Sequence, residues 1–175
     1  KDIRHIQLYY RDKDKVTFDK YQTGGEEPHH HDKYQIEFIS GGSGTLKINN
    51  KEYPVARGLM YAVRLRDYHS FEANDPITVH RIILPMKCMP EKMSYGMLKS
   101  KVDIITRLDA EPAQHIENLF LMLESRRKAL RYVLRRNYVN GFVFNQILCL
   151  LRRKNNILVV GEYENVFRVN LLRRA

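Results

Sequence analysis

The amino-acid sequence predicts a small, mainly β barrel followed by helices, and three observations carry that prediction. Short runs rich in β-branched and aromatic residues recur between turn signals over roughly the first half of the chain. One of those runs holds His29 and His31, and a further histidine, His69, returns after two more turn signals. Side chains alternate faces along a strand, so positions 29 and 31 point the same way. Imidazoles from different strands then share one concave space. Finally, the apolar spacing changes from period two to period 3.6 after Pro90.

Taken in order, residues 3–10 have strand composition, and 11–20 are charged and read as a turn or exposed edge. Thr23 to Pro28 is a turn cluster leading into the histidine strand. In Tyr34-Gln35-Ile36-Glu37-Phe38 apolar and polar residues alternate, and Gln35 and Glu37 are in phase with His29 and His31. That phase favours placing the polar face inside the barrel. Gly41 to Gly44 reads as a tight hairpin turn needing positive φ. Leu46 and Ile48 flank Lys47 in a half-buried strand, Asn49-Asn50 makes a turn, and Arg57-Gly58 makes another. Leu59 to Leu65 is a strand, Asn74-Asp75-Pro76 a turn, and Ile77 to Leu84 a last strand.

Residues 91–111 have no clear period. Pro112 suits a first helical turn, and Ile116, Leu119, Phe120 and Leu123 follow the i, i+3, i+4, i+7 pattern. Ala129, Val133 and Leu134 extend the stripe after a bend. Phe144, Ile147, Leu148 and Leu151 make another, ending in Arg152-Arg153-Lys154, where positive charge suits a helix C-terminus. Val166 to Arg174 also looks helical.

Composition narrows the function. The chain of 175 residues is long enough for one core plus an appendage. No apolar run approaches a membrane span, and no leader segment is visible. Cys88 and Cys149 have neither metal nor redox spacing, which reads as two reduced thiols in a cytoplasmic protein. The net charge of +10 is uneven: residues 1–90 hold 14 basic against 12 acidic groups, and residues 91–175 hold 16 against 8. Most of that second excess lies on amphipathic helices, so a solvated helix face is preferred to a nucleic-acid surface. There is no Ser-His-Asp arrangement, and Gly41-Gly42-Ser43-Gly44 lacks the Lys and helix of a phosphate loop.

A His-x-His strand, a glycine turn, Lys-Glu-Tyr-Pro, a glycine and a late histidine, followed by helices, resemble a particular arrangement. Residues 25–90 resemble a cupin, and residues 1–155 resemble the effector-binding and dimerisation domain of the arabinose-regulator (AraC) family of bacterial transcription factors. The resemblance implies a cupin-like (double-stranded β-helix) barrel over 1–90, a helical dimerisation segment over 91–155, and a linker over 156–175 toward a helix-turn-helix DNA-binding domain. It implies a small polar effector, such as a sugar, in the barrel, a homodimer through helices in 112–154, and DNA contact only through the absent domain. It implies no membrane partner and no enzymatic activity. Residues 1–20 are a candidate moving part.

The expected ligand-binding residues are His29, His31, Gln35, Glu37, Arg64 and His69. A metal-free pocket with no cofactor is preferred, since Gln35 stands where the family's register places an acidic ligand and Arg64 and Arg66 disfavour a cation. The alternative is a metal-dependent cupin enzyme, an oxygenase or isomerase, with His29, His31, Glu37 and His69 as ligands. Tyr34 and Tyr61 read as core, His30 as exposed, and either His80 or Arg81 as facing the pocket.

Overall fold

The computed structural model describes residues 6–8, 16–86, 91–99 and 103–133. Its elements are β1 (Ile6–Leu8), β2 (Thr17–His31), β3 (Tyr34–Ile48), β4 (Lys51–Val55), β5 (Leu59–Val63), β6 (His69–Leu84), α1 (Glu91–Lys99), β7 (Ile104–Arg107) and α2 (Ala110–Val133). The strands form one sheet in the order β1-β2-β6-β3-β5-β7, with β4 on β3. All pairings are antiparallel except β1 with β2. The expected mainly β architecture with helices after it is what forms.

Both faces of the sheet are buried, by different partners. One face carries Ile39, Leu46, Ile48, Leu59, Tyr61, Val63, Phe71, Ile77 and Val79 in an interior cluster. The other carries Tyr34, Ile36, Phe38, Met60, Ala62, Ile82 and Leu84. Onto this outer face pack Met97 of α1 and Ala113, Ile116, Leu119, Phe120 and Leu123 of α2. The 3.6-residue stripe read from the sequence is therefore the face α2 buries. Phe120 stacks on Phe38 with ring centroids 6.2 Å apart, and the Tyr34 hydroxyl meets Ser94 Oγ of α1 at 3.0 Å.

Three expected turns are bulges within long strands instead. β2 runs through Thr23 to Pro28 with register shifts at Thr23/Gly25 and Glu26/His29. β6 runs through Asn74-Asp75-Pro76, and β3 runs through Gly41 to Gly44 with shifts between Ile39 and Gly44. The glycines are required there for a different reason than a hairpin. Gly42 has φ +92°, and a Cβ on it would meet the Pro76 carbonyl oxygen at 2.4 Å. The bulges also reverse the side-chain phase of β3: odd residues to Ile39 face the interior, then even residues from Leu46 do. The turns at Asn49-Asn50 and Arg57-Gly58 form as read.

The sheet does not stop at residue 90. β7 joins it by pairing Ile104–Arg107 with β5, so a strand comes from within the segment expected to be helical. The stripe of 144–151, the segment of 166–174, the linker of 156–175 and both cysteines lie outside the described residues. No helix among the described residues is long and apolar enough to cross a membrane.

Candidate functional site

The interior face gathers two adjoining polar groups. The first is the histidine cluster. His29 pairs with His69 across β2 and β6, and His31 follows two residues on along β2. All three are buried, at 5%, 0% and 2% exposure. Ring centroids lie 4.2 Å apart for His29–His69, 4.7 Å for His29–His31 and 5.1 Å for His31–His69. His29 Nδ1 sits 2.7 Å from the Glu27 carbonyl oxygen, to which it donates in that tautomer. A backbone hydrogen bond joins the His69 ring to Asp67, and Nδ1 of His69 is buried with no hydrogen-bond partner. Burial, then the neighbouring His29, lowers His31 to about 3, and burial with His29 and His31 puts His69 well below its ordinary value. These two imidazoles are neutral at physiological pH. A cleft of about 290 Å³ opens beside the cluster, lined by His69 with Pro28, Lys47, Asn49, Asn50, Tyr68 and Ser70.

The second group is a row across four strands. Asp19 of β2 registers with Arg81 of β6, Arg81 with Glu37 of β3, and Glu37 with Tyr61 of β5. Directly opposed residues share a face, so the four line up across the interior. Arg81 donates two bonds to Asp19, Nε to Oδ1 at 3.0 Å and Nη2 to Oδ2 at 2.8 Å. Its guanidinium lies 4.5 Å from the Tyr21 ring centre. Tyr61 donates to Glu37 Oε2, while Glu37 Oε1 is buried with no hydrogen-bond partner. Burial raises Glu37 to about 7, against the pull of Arg81 and the Tyr61 bond. Burial and the Glu37 charge push the Tyr61 hydroxyl well up.

Of the residues expected to bind ligand, His29, His31 and His69 come together, and Gln35 and Glu37 share the interior face two residues apart on β3. Arg64 is placed differently. Its guanidinium reaches Asp67 at 2.7 Å and Asp103 at 3.5 Å, which fastens the β5–β6 loop to the residue preceding β7. Hydrogen bonds from Arg64 and Asn49 outweigh burial and hold Asp67 below its ordinary value. The sequence did not connect Arg64 to Asp103 because the two are distant in the chain.

Of His80 and Arg81, Arg81 is the one facing the interior. His80 lies on the outer face, with Ser40 Oγ at 3.0 Å and the Phe120 ring at 5.4 Å. Tyr34 is outer-face core and Tyr61 interior core as read, and the Tyr61 hydroxyl also joins the polar row. Sequence reasoning also missed Asp19 and Tyr21, which are in phase with each other on β2. His30 is half-buried, its ring 5.1 Å from Tyr68.

The alternative metallo-cupin reading takes His29, His31, Glu37 and His69 as ligands, and three of those four come together. The His29, His31 and His69 donor atoms lie within 4.8 Å of one another. Glu37 is not among that group; it stands in the row with Tyr61 and Arg81.

The family model described as AraC-like ligand binding domain matches residues 16–131. The HTH-type transcriptional activator RhaS of Yersinia pestis (strain Pestoides F) is 34% identical over 55 residues, 31% of this chain and 20% of its own length. The protein of the same name from Yersinia pseudotuberculosis serotype O:1b (strain IP 31758) matches to the same extent. The chain thus spans about a fifth of the length of these relatives. Among solved structures, a cupin 2 conserved barrel domain protein from Rhodopseudomonas palustris is 16% identical with a TM-score of 0.38, over 44% of this chain and 57% of that one. Ectoine synthase from P. lautus is 18% identical with a TM-score of 0.38, over 40% of this chain and 54% of its own.

Proposed function

The chain belongs to the family of AraC-like ligand-binding domains, and on that premise we propose that it senses a small polar effector for an attached DNA-binding domain. The effector class is a polyhydroxy molecule such as a sugar. The observation that carries this reading is the row Asp19, Arg81, Glu37 and Tyr61 between the histidine cluster and an apolar core. Burying ionisable groups costs stability unless something uses or pairs them. A few polar groups converging in an apolar interior are what a small-molecule site needs. The row alternates acceptors and donors, which suits vicinal hydroxyls. His29, His31, Gln35 and His69 line the remainder of the site, and Arg64 serves the loop.

Sensing requires that the effector favour one of two arrangements. β1 is a suitable moving element, because among the described residues its only strand pairing sets Ile6, Gln7 and Leu8 against His29, His30 and His31 of β2. An effector beneath that stretch bears on whether β1 stays docked. The domain acts as a binder in this reading, not an enzyme, in the cytoplasm and as a homodimer. Support for pairing through the helices is that α2 exposes Leu121 and Met122 on the side away from the sheet.

The test is a calorimetric and thermal-shift screen of monosaccharides and small hydroxy acids on this chain. A saturating ligand raises the melting temperature by mass action. Leaving a buried polar partner unmatched costs about 1–3 kcal/mol, more where it is charged, so Arg81→Met should weaken that ligand by more than about tenfold and Glu37→Gln by a smaller factor, with Arg64→Ala neutral. Affinity unchanged in both interior variants would place the effector elsewhere and end this reading.

A further inference from the structure

We propose that Asn49, Asp67, Arg64 and Asp103 form a latch between the outer cleft and the helices: displacing the cleft wall at Asn49 loosens β7 and the α2 that follows it. The latch lies apart from the interior row, and its coupling does not depend on the effector reading.

The cleft of about 290 Å³ opens on the outer face of the β3–β6 pair. Lys47 and Ser70 line it and stand directly opposite each other, out of phase with the interior Leu46 and Phe71. Asn49 and Tyr68 belong to its wall, and bonds in three directions hold Asn49 there. Asn49 N–H donates to the Tyr68 carbonyl oxygen at 2.7 Å, and Tyr68 N–H returns a bond to Asn49 Oδ1 at 3.1 Å. Asn49 Nδ2 donates to Asp67 Oδ1 at 3.1 Å. These bonds keep Asn49 at φ +53°, a left-handed conformation that asparagine tolerates better than most residues. One side chain thus spans the cleft wall and the charged group behind it.

Behind the wall the contacts run on to β7. Arg64 Nε donates to Asp67 Oδ2 at 2.7 Å, and Arg64 Nη2 reaches Asp67 Oδ1 at 3.1 Å and Asp103 Oδ1 at 3.5 Å. Asp103 also accepts from the Tyr53 hydroxyl at 2.7 Å and faces Lys51 Nζ at 3.2 Å. The Arg64, Asp67 and Asp103 side chains are only 13%, 10% and 6% exposed. Charges so far out of water hold one another in place, and removing one partner leaves the others unmatched. An ordinary clasp of this kind steadies its own loop and nothing more. Here it ends on the residue before β7, and among the described residues that four-residue strand pairs with β5 alone. Leu108 N–H then donates to the Gly58 carbonyl oxygen at 2.9 Å, and α2 starts at Ala110. With so short a ladder, the anchor at Asp103 decides how firmly β7 sits, and β7 sets where α2 begins.

The experiment is native-state hydrogen exchange, followed by NMR on the whole chain. Asn49→Gly keeps the left-handed backbone and removes only the side-chain bonds. It should speed exchange in the β5–β7 ladder and at Leu108 N–H by more than about tenfold, the effect of losing one bond to a charged group, with the β2–β6 ladder unchanged. Asp103→Asn removes the charge that Arg64 and Lys51 face, and should speed the Asn49 and Tyr68 amides in return. The double variant should exchange no faster than the faster single one, because either substitution opens the same latch. Lys47→Gln, which breaks the pairs with Glu52 and Glu72 on the same cleft, should leave β7 as it is. Speeding confined to the Asn49–Tyr68 contact in Asn49→Gly overturns the proposal, as do additive effects in the double variant or loosening of β7 by Lys47→Gln. Uniform speeding across β2 and β6 also overturns it, because that marks a loss of global stability. Should Asp103→Asn not fold, Asn49→Gly against Lys47→Gln decides alone. The ligand screen reads the interior row, so the two proposals fail independently.

Discussion

Glu37→Gln is the substitution whose consequence follows most directly from the structure. Glu37 is fully buried, and burial raises it from the ordinary 4.5 to about 7. The fold therefore prefers its protonated form. The stability this contributes is complete below pH 4.5, where the unfolded chain is protonated too, and is lost as pH rises through 7. At about 1.36 kcal/mol per pH unit, ionising this one carboxyl costs the fold on the order of 3 kcal/mol by pH 8. Glutamine keeps the shape and an acceptor for the Tyr61 hydroxyl but has no proton to lose. The histidines slope the other way. His31, lowered to about 3, contributes stability that is present above 6.5 and lost as pH falls toward 3. The two trends overlap, so the wild-type curve alone is uninformative and the difference between proteins is needed. Urea unfolding of wild type and Glu37→Gln between pH 4.5 and 8 should show the variant gaining about 3 kcal/mol relative to wild type across that range. A difference that stays constant with pH would mean Glu37 is already ionised in the fold, and the buried-acid argument would be wrong.

Three further outcomes are expected. Tyr61→Phe removes the hydroxyl bonded to Glu37 and should cost about 1–3 kcal/mol; that bond holds Glu37 down, so the loss of stability that starts above pH 4.5 should continue to higher pH than in wild type, read from the same urea series. Gly42→Ala must force a Cβ against the Pro76 carbonyl oxygen at a φ of +92° and should destabilise by on the order of 3 kcal/mol in thermal melts. Gly24→Ala, whose Cβ would meet nothing within 4 Å, is the control, and equal melting temperatures would refute the bulge argument. Phe120→Ala empties the contact with Phe38 and should cost about 3–5 kcal/mol in urea unfolding; an unchanged stability would put the helix in the wrong rotation.

What the sequence determined by itself is local in origin. His29 and His31 share a face because strands alternate with period two, and α2 buries Ile116, Leu119, Phe120 and Leu123 because helices repeat every 3.6 residues. The phase of Gln35 and Glu37 with the histidines put the polar side inside. Family resemblance rested on the same short patterns. Tertiary structure decided the rest. The row Asp19–Arg81–Glu37–Tyr61 exists only through the register of four strands drawn from separate parts of the chain. Asp103 takes Arg64 away from the expected site. Gly41 to Gly44 and Asn74 to Pro76 look like turns, yet bulge because the backbones of β3 and β6 approach too closely there for a side chain at Gly42. β7 carried no period long enough to read and is a strand because β5 offers it an edge. Which face a side chain takes is fixed by its immediate neighbours along the strand. Which residue stands opposite is fixed by pairing across the sheet, and one bulge resets it.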